Sequence, residues 1–188
     1  MNNPEKLSWD EFFVLLGVMY SARGSCDRLK VACVLTKDKR IVGAGYNGSV
    51  SGLESCDEVG HLMIDGHCMR TIHAERNAID NSVANLEGGT AYITATPCLD
   101  CAKVLLQRGI KRIAYVGTYT NSKANEYIKE FCDKKGVILE QIFPDPSHSV
   151  NILAKALNRL RGNGGLLKEV SAKSIWEKLL PGDGPTLA

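Results

Sequence analysis

No run of apolar residues near the start of this chain is long enough to cross a bilayer, since residues 12–19 fall well short of a span. Nor does Met1-Asn2-Asn3-Pro4-Glu5-Lys6 supply a basic stretch leading into a long apolar core. A cytoplasmic protein with no membrane partner is therefore expected. An excess of one charge is missing too: 23 Lys and Arg against 21 Asp and Glu leave +2, which argues against a broadly cationic nucleic-acid binder. A small anionic substrate would need only a local patch. The seven cysteines are odd in number and partly at metal-ligand spacing, so free thiols and metal thiolates fit better than a secreted disulfide framework. There is no internal repeat. The 188 residues are too few for two large domains, and with 44% apolar and 23% charged residues they suit a folded domain over 1–145 with a helical extension and tail over 146–188.

What is present alternates between strand and helix signals. Ser8 followed by Glu11 reads as a capping box for a first helix over 8–23, whose aromatic face (Trp9, Phe12, Phe13, Leu16, Met19, Tyr20) is expected in the core. Residues 31–36 and 41–46 read as strands around a tight turn at 37–39. Gly43, Gly45 and Gly48 would let backbone approach a ligand, though a plain turn explains them equally well. The stretch 49–71 has little periodicity and would be unusual in a compact domain unless something ties it down. Then come a helix over 73–83, a strand over 90–94, a helix over 98–109 and a strand over 112–117, forming a β-α-β crossover that demands helices packed on a sheet. A helix over 121–135, a strand over 137–142 and helices over 150–161 and 166–180 follow, with a loose tail over 181–188. The fold class is α/β, with a mixed five-stranded sheet opened by an antiparallel hairpin and helices on both faces.

His73, Cys98 and Cys101 are three ligands of the types zinc prefers, leaving a fourth position for water, which is a catalytic count. Both ligand segments open helices, where free amides and the dipole favour thiolate over thiol at the cysteines. Glu75, two residues from His73, is placed to take a proton from an activated water and return protons to a ring nitrogen and a leaving ammonia. His-Ala-Glu with Pro97-Cys98-Leu99-Asp100-Cys101 matches the signature of zinc deaminases that act on nucleobases. No organic cofactor is required.

Beyond this pair, the chain resembles the deoxycytidylate (dCMP) deaminase family, and most closely its bacterial competence-operon branch. The resemblance runs through Ser21-Ala22-Arg23, Gly45-Tyr46-Asn47-Gly48, Asp65-Gly66-His67-Cys68, Arg70-Thr71-Ile72-His73-Ala74-Glu75, and Pro97 to Lys103. It implies a three-layer α-β-α cytidine-deaminase-like fold and conversion of dCMP to dUMP for thymidylate synthesis. It also implies that Asn47 binds the deoxyribose hydroxyl, that backbone near Ala74 reads the pyrimidine, and that Arg23 and Tyr119 serve the phosphate and the pocket wall. Many members are hexamers regulated by dCTP and dTTP, so a homo-oligomer, hexamer or dimer, is expected, with Arg28, Lys30, Gly45 and Gly48 as effector candidates. Some carry a second, structural zinc: Cys26 and Cys56 match its cysteines, His61 stands where relatives often place cysteine and keeps a zinc-competent atom, and Cys68 or His67 is the fourth. Arg76 stands where relatives often have an apolar residue or glutamine. The rival readings are the same chemistry on cytosine, guanine, a riboflavin precursor or transfer-RNA adenosine, and a non-catalytic zinc-stabilised protein linked to DNA uptake.

Overall fold

The computed structural model describes residues 6–119, 125–145, 147–161 and 165–171. Helix α1 (Trp9–Ser21) begins at Ser8, whose hydroxyl accepts from the Glu11 N–H at 3.1 Å while its own N–H donates to the Glu11 carboxylate at 2.6 Å. Strands β1 (Ala32–Lys37) and β2 (Arg40–Tyr46) are joined through Asp38 and Lys39, both left-handed (φ 50° and 61°), as a twist-matched two-residue hairpin turn requires. The poorly periodic stretch holds only short pieces: β3 (Gly48–Ser49), α2 (Cys56–Val59), β4 (Met63–Ile64), β5 (His67–Cys68) and β6 (Thr71–Ile72). After it come α3 (Ala74–Asp80), β7 (Thr90–Ala95), α4 (Leu99–Gln107), β8 (Arg112–Gly117), α5 (Glu126–Lys134), β9 (Ile138–Gln141) and α6 (Ser147–Arg161).

The main sheet has five strands in the order β2-β1-β7-β8-β9, antiparallel as far as β7 and parallel from there to β9. Its central strands are buried on both faces, which is why they read as continuous apolar runs. Alternate residues sort between two cores. Cys33, Leu35, Ala91, Ile93 and Ile113 face α3, α4 and α5, while Val34, Tyr92 and Ala114 face α1 and α6. Ile152 of α6, 2% exposed, is part of that second core.

One expectation for α1 is corrected. Phe13, Val14 and Gly17 form the buried face, whereas Trp9, Phe12, Met19 and Tyr20 are exposed at 38–60%. Gly17 explains the choice: a Cβ there would lie 3.3 Å from the Thr94 methyl, so the helix sits close to the sheet along that line and turns the larger side chains outward. Residues 166–169 form a turn, and the rest of the expected terminal helix, the tail over 181–188, and residues 121–124 ahead of α5 lie outside the described residues. Among the described residues no helix is long and apolar enough to cross a membrane.

Candidate active site

Two helix starts build the centre. His73 is the N-cap of α3 and Cys98 the N-cap of α4, both in extended conformation (ψ 149° and 165°), so each ligand stands just before its helix and points back across the sheet end. The Cys98 sulfur also accepts from the Cys101 N–H at 3.4 Å, doing for α4 what a serine oxygen does at other caps. Helix α3 reaches this position because β2 lets it come close. A Cβ on Gly43 would lie 2.6 Å from the Ala78 carbonyl oxygen, and one on Gly45 2.8 Å from the Ala74 oxygen. The glycines thus admit helix backbone.

His73 Nδ1 lies 3.5 Å from Cys98 Sγ and 3.4 Å from Cys101 Sγ, and the three donor atoms all lie within 4.8 Å of one another. Tetrahedral zinc, about 2.3 Å from sulfur and about 2.0–2.1 Å from nitrogen, sets neighbouring ligands about 3.5 Å apart, so the residues fit this ion. The electrostatics ask for a cation as well. A hydrogen bond from Cys101, together with the His73 ring, draws Cys98 down to about 4, and the same contact pushes Cys101 up, with burial adding to it. The Cys98 sulfur in turn raises His73. Glu75 is 4% exposed, and burial raises its carboxyl above the ordinary carboxylate range, as proton shuttling near neutral pH requires.

A cleft of about 840 Å³ opens onto His73, Glu75 and Cys98, and Asn47, Ala74 and Tyr119 line it as well. The Asn47 side chain is partly committed, accepting from the Val31 N–H at 2.8 Å and donating to the Leu29 carbonyl at 2.8 Å. Arg23 is exposed and does not line the cleft, whereas Arg28 does. Of the other effector candidates, Lys30 donates to the Gly24 carbonyl at 2.6 Å, Gly45 packs on α3 and Gly48 meets the Tyr46 ring, and none of the three lines the cleft. Arg76 pairs with Asp80 at 3.2 Å on the outer face of α3.

A second donor cluster joins the short pieces over 49–71 to the segment after α1. Cys26, Cys56, His61 and Cys68 place their donor atoms within 4.8 Å of one another, with Cys26 Sγ 3.8 Å from His61 Nδ1 and Cys56 Sγ 3.5 Å from Cys68 Sγ. His67 stands outside this group and lines the cleft instead. Four nitrogen and sulfur donors make a closed set, the structural kind. Burial pushes Cys56 up to about 12; it would raise Cys68 too, but hydrogen bonds from the Arg70 backbone, Cys56 and His61 prevail and bring that thiol to about 7. The sequence reading missed Asp27, whose carboxylate meets His61 Nε2 at 2.8 Å and orients the ring as acids behind metal-bound histidines do. Its only local signal is its place beside Cys26.

The model of the cytidine and deoxycytidylate deaminase zinc-binding region matches residues 7–117, which carry every one of these donors. The chain belongs to the cytidine and deoxycytidylate deaminase family. It is therefore a deaminase, and zinc is the metal its cysteine and histidine clusters suit. This deaminase is 39% identical over 184 residues to ComE operon protein 2 of Bacillus subtilis (strain 168), covering 93% of this chain and 95% of that protein. It is 32% identical to the deoxycytidylate deaminase of Mycobacterium phage D29 over 130 residues, 61% of this chain and 97% of the phage enzyme. The dCMP deaminase of cyanophage S-TIM5, solved in complex with dCMP and dUMP, superposes with a TM-score of 0.62 at 26% identity over 73% of this chain and 99% of that one.

Proposed function

We propose that this deaminase converts dCMP to dUMP with release of ammonia. The observation that carries the reading is the convergence of His73, Cys98 and Cys101 at two helix starts, with Glu75 buried beside them in the wall of one nucleotide-sized cleft. Zinc held by those three side chains would supply Lewis-acid activation of the attacking water. The Glu75 carboxylate takes one proton from that water as its oxygen bonds to the ring carbon bearing the amino group. Glu75 delivers this proton to the adjacent ring nitrogen, then carries the second to the amino group, and the carbon–nitrogen bond breaks to free ammonia. Burial serves both halves of the cycle, because a carboxyl with raised affinity for protons both takes and holds them.

Backbone near Ala74 faces the pyrimidine, Asn47 meets the sugar hydroxyl with the donor and acceptor capacity it retains, and Tyr119 walls the pocket. The second cluster holds a structural zinc through Cys26, Cys56, His61 and Cys68. Regulation by dCTP and dTTP and assembly as a hexamer or dimer belong to the same proposal, supported by the family resemblance. A panel of dCMP, CMP, deoxycytidine, cytosine, guanine and a transfer-RNA stem-loop, each with and without dCTP, tests it. Turnover should be fastest on dCMP, and a different preferred substrate would overturn the reading.

A further inference from the structure

Tyr119 lines the cleft from a place that the main sheet does not hold. The cleft is lined by Ala95 and Thr96 at the end of β7, while β8, its parallel neighbour, ends at Gly117, two residues before Tyr119. Past the ladder, the backbone of Tyr119 needs other partners. Among the described residues two side chains supply them. The Thr96 hydroxyl accepts from the Tyr119 N–H at 3.3 Å, and the Asn125 amide donates to the Tyr119 carbonyl at 2.9 Å. Thr96 gives its one hydroxyl proton to the Gly117 carbonyl at 3.3 Å, so it has none to offer a substrate. Of the two bonds to Tyr119, the one from Asn125 has the ordinary length and the one to Thr96 is long.

Asn125 departs from the habit of its position. It precedes α5, where asparagine is common because its side chain can accept from the first free N–H groups of a helix. Here it stands in helical conformation (φ −58°, ψ −31°) and its side chain makes no capping bond. Its amide donor goes instead to Tyr119, back across the connection from β8 to α5. Ile128 and Cys132 sink α5 into the core, so this bond ties Tyr119 to a fixed element. Asn125 itself does not line the cleft.

We propose that Asn125, aided by Thr96, is a positioning residue that holds Tyr119 against the cleft and so sets the affinity for the nucleotide without touching it. This rests on the dCMP reading above, in which Tyr119 walls the pocket. The test compares wild type, Asn125→Ala, Asn125→Asp, Tyr119→Ala and the double variant Tyr119→Ala with Asn125→Ala. For each, dCMP turnover, dUMP binding by calorimetry, melting temperature and zinc content are measured. Loss of one hydrogen bond in Asn125→Ala should raise KM for dCMP and weaken dUMP binding about 5-fold, with kcat changed less and zinc content kept. Asn125→Asp keeps the side chain's size and gives the helix start an acidic group that the dipole favours, but it has no donor for the Tyr119 carbonyl. It should therefore lose affinity while keeping its melting temperature, a split that a merely structural residue would not give. In the Tyr119→Ala background, Asn125→Ala should add less than about 2-fold, because its effect runs through Tyr119. Wild-type KM and dUMP affinity in Asn125→Asp, a fall of its melting temperature together with its affinity, or an undiminished effect of Asn125→Ala without Tyr119 would overturn the assignment while the dCMP reading stands. If wild type neither turns over dCMP nor binds dUMP, both fall together.

Discussion

At the scale of single residues, much of the chemistry was legible because it is local in the chain. His73 with Glu75 and Cys98 with Cys101 are short spacings at helix starts, and a cap position fixes where such side chains point. Gly45 was ambiguous because nothing in its neighbourhood tells a turn from a contact with α3, about thirty residues further along the chain; only the packing of Ala74, Asn77 and Ala78 against it decides. Arg28 and Asp27 were illegible as cleft and support residues for a related reason, since their partners Gly66 and His61 come from a stretch more than thirty residues further along the chain. Gly45→Ala should therefore push α3 off β2, lowering stability by about 1–3 kcal/mol, seen as a lower denaturant midpoint at unchanged slope. Activity should fall with it, because the helix carries His73 and Glu75 at its start. A variant with wild-type stability would show that the strand and helix are not in contact there.

At the scale of elements, five main strands and the helices between them follow from periodicity, while the stretch over 49–71 does not. It exposes Val50, Leu53, Val59, Leu62, Met63, Ile64 and Met69, so it has little core of its own and no hydrophobic pattern to read. Zinc held by Cys26, Cys56, His61 and Cys68, as proposed above, would tie it down instead. Cys56→Ser should reduce zinc from two ions per chain to one, matching the two donor groups, and make the β4-β5 hairpin readily cleaved by protease near Gly66. An unchanged content of two would rule Cys56 out as a ligand. Helix α1 misled for the opposite reason: its aromatic residues are numerous, but the close approach at Gly17 selects a different face. Its capping box was readable from Ser8 and Glu11 alone, and Ser8→Ala should cost about 1 kcal/mol in thermal or denaturant unfolding.

At the scale of the molecule, a polar network closes the side of the sheet opposite the cleft helices. Arg112 of β8 meets Asp10 of α1 with two bonds of 2.8 Å and Glu140 of β9 at 2.6 Å, and the Tyr92 hydroxyl donates to Asp10 at 2.6 Å. Lys155 of α6 reaches Glu11 at 3.1 Å. The Arg112 hydrogen bonds, aided by Tyr92, hold the Asp10 carboxyl below its usual 3.8 although burial opposes them. A carboxyl depressed in the folded chain stabilises it fully above the unfolded value and loses that contribution as pH falls through the folded value. The stability gap between wild type and Asp10→Asn should thus be constant near neutrality and shrink below about pH 4. A gap independent of pH would remove Asp10 from the ion pair.

The central claim is that Glu75 moves the protons of a hydrolytic deamination at a zinc centre. Ammonia release from dCMP by wild type and by Glu75→Gln, each with its zinc content measured, tests it most directly. Wild type should turn over, and the variant, with the same zinc content, should lose at least about 100-fold in kcat. Equal rates at equal zinc content would contradict the account.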